Sequence, residues 1–224
     1  SGSAMPTFGE WERTVLAEAY DLVVMVSAHA YYQEADGDLG SFLASPVDID
    51  RFVATVAAAA DAVRDARGAA KQIAISFDEW NVWYQNGAES QLPTGDDWPV
   101  APRLLEDHYN VADAVVVGGL LISLLRNADR VHAASLAQLV NVIAPIITEP
   151  GGRAWKQTIF HPFSLTASRA VGEVLAARID TATYESARYG DVPVVDAVAT
   201  HDAASGALSL FVVNRSLSEP AHVE

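Results

Sequence analysis

The stretch Ile73-Ala74-Ile75-Ser76-Phe77-Asp78-Glu79-Trp80-Asn81-Val82-Trp83-Tyr84 decides how the rest of this chain is read. Residues 72–77 form a short, nearly continuous apolar run, the pattern of a strand buried on both faces. The run feeds directly into two adjacent carboxylates, Asp78 and Glu79. Three large aromatics and an amide follow within five residues. Core packing gives no reason to place Asp-Glu at the end of a buried strand. Successive strand residues point to opposite faces, so one of the pair is expected to face a site.

The same organisation repeats on either side. Upstream, residues 22–28 are a second apolar run, ending at His29-Ala30-Tyr31-Tyr32, with a short helix expected before it over residues 11–19. Residues 48–67, rich in Ala and Val with spaced charges, read as a helix stopped by Gly68. Downstream, residues 81–103 are a long loop, and such loops in compact domains are commonly functional or mobile. Residues 107–127 read as a strongly apolar helix packed between neighbours. Residues 131–139 read as a third strand, ending near Gln138 and Asn141. A loop carrying Pro145, Pro150, Gly151 and Gly152 precedes a helix expected over residues 154–169.

Strand and helix therefore alternate three times. That predicts parallel strands joined by right-handed helical crossovers. The polar and aromatic residues cluster just past the carboxyl ends of the strands, the edge where α/β folds build sites. After Gly172 the pattern changes to short β-type runs, residues 173–181, 194–200 and 207–214. His201-Asp202-Ala203-Ala204-Ser205-Gly206 reads as a hairpin connection. The expected division is residues 1–171 as an α/β unit and residues 172–224 as an incomplete antiparallel β unit. Three parallel strands cannot close a barrel and leave two open edges. Both ends of the chain are thus expected to be completed by further chain or by partners.

Composition narrows the class. The 224 residues carry a formal net charge of −15 with only 14 Lys and Arg, against nucleic acid or an anionic membrane as partner. Half of the residues are hydrophobic, enough for a sizeable core. With no Cys, disulfides and thiolate metal sites are excluded, a pattern that suits a cytoplasmic protein. No run reaches the length of a membrane helix; residues 111–125 come nearest. The first residues lack the basic start and apolar core of a signal peptide. The histidines show no metal-ligand spacing, and HExxH, P-loop and dinucleotide fingerprints are missing, so neither metal nor cofactor is expected.

The residues able to carry chemistry are few. Glu79, or Asp78 beside it, offers a fixed carboxylate, and Trp80, Trp83 and Tyr84 offer flat surfaces suited to sugar rings. The competing reading is a salt-bridged strand end with ordinary aromatic packing. Period two puts His29 and Tyr31 on one face and Tyr32 on the other. A Tyr hydroxyl there can hold a carboxylate ionised and oriented, although a capping His beside core tyrosines fits the pattern equally. Gln138 and Asn141 can bind a sugar hydroxyl or simply satisfy loop backbone. Trp155, Lys156 and His161 read as packing.

Five words, Met5-Pro6-Thr7-Phe8, His29-Ala30-Tyr31-Tyr32, Phe77-Asp78-Glu79-Trp80-Asn81-Val82-Trp83-Tyr84, Leu136-Ala137-Gln138-Leu139-Val140-Asn141-Val142-Ile143-Ala144-Pro145 and Trp155-Lys156-Gln157-Thr158-Ile159-Phe160, together resemble the α-L-arabinofuranosidases of glycoside hydrolase family 51. Their order and spacing match over residues 5–215. The resemblance implies the C-terminal part of a (β/α)8 barrel, strands six to eight, followed by part of an antiparallel β-sandwich. It implies Glu79 as the nucleophile of a retaining hydrolase. Tyr31 then holds that nucleophile, His29 is its neighbour in the sugar pocket, Trp83 is a pocket wall and Gln138 contacts the sugar. It also implies a homo-oligomer acting on arabinofuranosyl oligosaccharides or polysaccharides.

The family's acid/base Glu, in an Asn-Glu pair on an earlier strand, has no counterpart, since no Asn-Glu occurs in this sequence. These residues alone are therefore expected to be inactive, the N-terminal barrel half being needed in cis or in trans. An endoglucanase-type specificity and a non-catalytic carbohydrate-binding or assembly module are the alternatives.

Overall fold

The computed structural model describes Gly2, residues 5–85 and residues 94–222. Residues 86–93 of the expected long loop, and the expected features of the chain's extreme ends, lie outside the described residues.

The first part runs α1 (Glu10–Ala19), β1 (Met25–Tyr32), α2 (Leu39–Leu43), α3 (Pro46–Arg67), β2 (Ala74–Val82), α4 (Val111–Arg126) and β3 (Val131–Leu136). The strands form one parallel sheet in the order β1-β2-β3, as the alternation predicts. A short hairpin follows, β4 (Ile146–Thr148) with β5 (Ala154–Lys156), then α5 (Phe160–Arg169). Next come β6 (Glu173–Leu175), β7 (Thr183–Ser186), β8 (Gly190–Pro193), β9 (Val195–Asp202) and β10 (Ala207–Asn214). These later strands pair antiparallel, in the order β10-β9-β6 with β7-β8 as a separate ribbon.

The core follows from the apolar stripes. Phe77 and Trp80 of β2, Phe52 of α3 and Leu120 of α4 are fully buried in one cluster that spans the sheet and its helices. α4, the most apolar helix, packs against α3 on one side, α5 on another, and β9 and β10 on a third. Glycine makes this possible: a Cβ on Gly119 would stand 2.5 Å from Pro46 Cγ, so α3 and α4 approach where no side chain intervenes. Ser123 Oγ donates to the Pro46 carbonyl at 3.0 Å in the same contact. Arg126, at the end of α4, donates to Asp50 of α3 and to Asp196 of β9, and Asp196 also accepts from the buried Arg215 at 2.7 Å. These ion pairs tie the helical layer to the antiparallel strands.

Several expected boundaries move. β1 covers residues 25–32, not 22–28, and one face is open, with Met25 and Ser27 exposed on it. The pairing with β2 decides this, because Tyr32 lies opposite Val82 and both strands stay hydrogen-bonded to that point. For the same reason β2 does not stop at Phe77 but runs through Asp78 and Glu79 to Val82. β3 ends at Leu136, three residues before the expected end.

The third helix starts at Val111, not at residue 107. Asn110 caps it, accepting from Ala112 N–H at 2.7 Å, while Asp113 reaches back to Asn110 N–H at 2.6 Å. The helix expected over residues 154–169 is strand at 154–156 and helix only from Phe160. Trp155 pairs with Ile147 across the turn containing Gly151 and Gly152. Of the expected β run at 173–181 only Glu173–Leu175 is strand. The hairpin at residues 201–206 is as expected, with Asp202 opposite Ala207.

Candidate active site

The carboxyl ends of β1 and β2 lie side by side and converge on Glu79. Tyr31 donates its hydroxyl to Glu79 Oε2 at 2.9 Å. Burial, then the contact with Glu79, raises the Tyr31 pKa above its ordinary value, so Tyr31 stays a donor. His29, two residues earlier on the same face, places Nδ1 3.7 Å from the same Oε2. Its other nitrogen, Nε2, is 3.4 Å from Asp78 Oδ1 and 2.9 Å from Ser27 Oγ. Ser27 in turn donates to Asp78 Oδ1 at 2.7 Å. Trp83 packs edge-on against Tyr31, with ring centroids 5.2 Å apart, and its backbone N–H donates to the Tyr32 carbonyl at 2.8 Å.

Asp78 and Glu79 do not point to opposite faces, contrary to strict period two. Both are exposed and both approach His29. The register slips between Ser27 and His29 on the β1–β2 pair, and between Phe77 and Trp80 on the β2–β3 pair. A bulge of this kind re-aims side chains beside a site. Burial pushes the Asp78 carboxyl up. The Ser27 hydroxyl, the backbone N–H groups of Asp78 and Ala28, and nearby His29 outweigh it, and the net pKa is below the usual carboxylate value.

Behind the carboxylates the backbone is held by buried polar groups. Asn81, fully buried, donates to the carbonyls of Ala137 and Ile143 at 2.7 and 2.6 Å. It thereby anchors the segment after β3 to β2. Tyr84 donates its hydroxyl to Asp113 at 2.6 Å, and its N–H donates to Asp107 at 2.7 Å. The buried Gln157 side chain bridges Tyr109 N–H and the carbonyls of Asp107 and Ala144. Tyr32 points the other way, as period two requires, and donates to Asp48 at 3.0 Å.

Four of the five expected site residues, Glu79, His29, Tyr31 and Trp83, are thus in one cluster. Gln138 sits at the adjoining edge. It follows Ala137, whose N–H donates to the Trp80 carbonyl at 3.2 Å. Among the described residues its side chain makes no hydrogen bond to the cluster. Asn141 serves its own loop, accepting from Thr148 N–H at 2.8 Å. Ser27 was not expected, although it shares the period-two face of His29 and Tyr31. The partners of Asn81, Tyr84 and Gln157 are distant in sequence and left no local signal. No group of His, Cys, Asp and Glu suited to a metal ion occurs among the described residues.

A parallel sheet gathers its polar side chains at the carboxyl edge, where α/β folds build sites; here a Tyr-held carboxylate lies at that edge, and antiparallel strands follow. The model of the α-L-arabinofuranosidase C-terminal domain matches residues 78–224. An exo-α-(1→6)-L-arabinofuranosidase from Bifidobacterium longum is 57% identical, over 97% of this chain and 43% of its own length. An intracellular exo-α-(1→5)-L-arabinofuranosidase from Streptomyces lividans is 55% identical, over 96% of this chain and 32% of its own. Among solved structures, a family 51 α-L-arabinofuranosidase from Bifidobacterium longum superposes with a TM-score of 0.91 at 48% identity, covering 98% of this chain and 44% of that one. The chain belongs to the α-L-arabinofuranosidases of glycoside hydrolase family 51, in their C-terminal region. It spans less than half the length of these relatives.

Proposed function

We propose that this chain supplies the nucleophile half of a retaining exo-α-L-arabinofuranosidase, which releases terminal arabinofuranosyl residues from oligosaccharides or polysaccharides. The observation that carries the reading is the Tyr31–Glu79 pair. One oxygen of Glu79, Oε2, is occupied by the Tyr31 hydroxyl at 2.9 Å. The other, Oε1, is therefore the attacking atom. It forms a bond to the anomeric carbon as the bond to the leaving oxygen breaks, and a general acid protonates that oxygen. Water then attacks the glycosyl ester, the same acid/base takes its proton, and Glu79 departs as carboxylate with net retention. Trp83 walls the pocket, His29 lines it, and Gln138 reaches the sugar from the segment just past β3.

The second carboxylate of the reaction lies, on this reading, outside residues 1–224, about 5 Å from Glu79 in the assembled site. Asp78 is a poor substitute, because its Oδ1 is tied to Ser27. β1, β2 and β3 then correspond to strands six, seven and eight of a (β/α)8 barrel. In support, Gly2 bridges in parallel to His29 on the outer edge of β1, where a preceding strand would run. Residues 1–171 are the barrel part and residues 172–224 the start of the β-sandwich. The intact enzyme needs neither metal nor cofactor and works as a homo-oligomer in the cytoplasm. Several relatives are named intracellular, and no described helix is long and apolar enough to cross a membrane.

An assay on an aryl α-L-arabinofuranoside tests this. The polypeptide extended to the length of its relatives is expected to turn over, and residues 1–224 alone are expected to show no turnover above background. Loss of general acid–base help alone costs about 10²–10⁴-fold. Robust Glu79-dependent turnover by residues 1–224 would overturn the division of carboxylates; an inert extended polypeptide would overturn the activity.

A further inference from the structure

We infer that Asn81 is a positioning residue for Gln138: its side-chain amide continues the β2–β3 pairing where the backbone ladder stops, and so fixes how Gln138 leaves the chain. The effect on catalysis rests on the reading of Gln138 as a sugar contact given above; the hydrogen bonds that define the role do not.

The register of β2 with β3 ends at the pair Trp80–Leu136, and the Ala137 N–H adds one last backbone bond to the Trp80 carbonyl at 3.2 Å. From there the Asn81 side chain takes over. Its Nδ2 donates to the Ala137 carbonyl at 2.7 Å and to the Ile143 carbonyl at 2.6 Å, and its Oδ1 accepts from the Val82 N–H at 2.8 Å. The reverse amide orientation would set a donor against the Val82 N–H and an acceptor against two carbonyls, so the partners fix which end is which. Asn81 is fully buried, and both of its amide hydrogens are used.

Gln138 lies inside this bracket. The peptide unit leading into it is held at both ends. Its carbonyl, on Ala137, accepts from Asn81; its N–H, on Gln138, makes a longer bond of 3.4 Å to the same Ile143 carbonyl that Asn81 grips. The Gln138 side chain is exposed, so this backbone sets where it points. The bracketed turn is strained, with φ of 63° at Asn141 and 39° at Ile143. A β-branched residue seldom adopts such a backbone, and it persists where surrounding bonds impose it. Ile143 is held in this way through both of its polar groups, the N–H donating to the Leu105 carbonyl at 2.7 Å and the carbonyl accepting from Asn81. On its other side Asn81 stands in register with Tyr31 of β1. One buried residue therefore connects the strand pair carrying Tyr31 and Glu79 to the turn carrying Gln138.

A double-mutant cycle in the polypeptide extended to the length of its relatives separates positioning from mere stability. On an aryl α-L-arabinofuranoside, Gln138→Ala is expected to lower kcat/KM by about tenfold, the scale of one lost hydrogen bond to substrate. Asn81→Asp keeps the shape but leaves at most one hydrogen for two carbonyls, and is expected to cost a similar factor. The double variant is expected to lose little more than either single one, because both changes remove the same contact. A merely structural role for Asn81 predicts losses that multiply, and that result overturns the inference, as do wild-type kinetics in either single variant. Asn81→Ala carries the same cycle if Asn81→Asp fails to fold. Crystal structures of the wild type and the Asn81 variant read the position of Gln138 without turnover. The Ala137–Gln138 peptide is expected to be displaced in the variant, and an undisplaced one overturns the inference. An inert extended polypeptide defeats the arabinofuranosidase reading instead, and the crystallographic comparison still decides this one.

Discussion

Replacing Glu79 by Ala in the intact enzyme is expected to lower kcat/KM on arabinofuranosides by about 10⁴-fold or more, the scale seen when a covalent nucleophile is removed. No neighbour replaces it. Asp78 is adjacent in sequence and open to solvent, but its Oδ1 accepts from Ser27 and lies beside His29 Nε2, on the far side of the imidazole from Glu79. With a substrate bearing a good leaving group, added azide is expected to restore turnover. The product should be the β-configured glycosyl azide, because azide then enters from the face Glu79 occupied. An α-configured azide would mark the altered residue as the acid/base. Tyr31→Phe is expected to cost far less, since it removes one hydrogen bond to Oε2 and leaves the carboxylate in place.

The largest effect on stability is expected at Trp80. Its side chain is fully buried between β2 and the helices, with the Phe163 ring 6.4 Å away. Trp80→Ala should cost about 3–5 kcal/mol, through lost burial and the cavity left behind. Against a total of about 5–15 kcal/mol for a typical domain this is severe. Trp80→Phe should cost less than half as much. Among the described residues the indole N–H has no hydrogen-bond partner, so its removal strands no polar atom and only packing is lost. Urea unfolding of the two variants checks both the size and the order. Equal losses would show that Trp80 stabilises the fold through its N–H and not through its bulk.

These two residues are neighbours on one strand, and the contrast between them shows what the sequence makes legible. The apolar run before Asp78 marked β2, and the words around His29 and Glu79 marked the edge where the groups meet. The clustering of Tyr31, His29 and Trp83 around Glu79 follows from two parallel strands in adjacent positions. That neither carboxylate points away was not legible. The slips beside Ser27 and Phe77 arise from how three strands pair, and no single strand encodes them. The same limit explains the β5 segment, where an apparent helix start is a strand because Trp155 pairs with Ile147. It also explains the unforeseen β7–β8 ribbon. Ser186, at its turn, shares a buried hydrogen bond of 3.0 Å with Ser41 of α2, and Tyr184 donates to the Gly40 carbonyl at 2.9 Å. Contacts spanning well over a hundred residues hold that ribbon, and none of them appears as a local pattern.

The placement of the reactive carboxylate is the claim on which the rest depends. An arabinofuranose-configured reagent with an electrophilic anomeric carbon captures a retaining nucleophile as a stable ester. Treating the intact enzyme with it and mapping the modified peptide by mass spectrometry tests the claim most directly. The mass increase should fall on Glu79 within Phe77-Asp78-Glu79-Trp80, and Glu79→Gln should abolish it. A label on Asp78, or on any carboxylate outside this strand, would contradict the account.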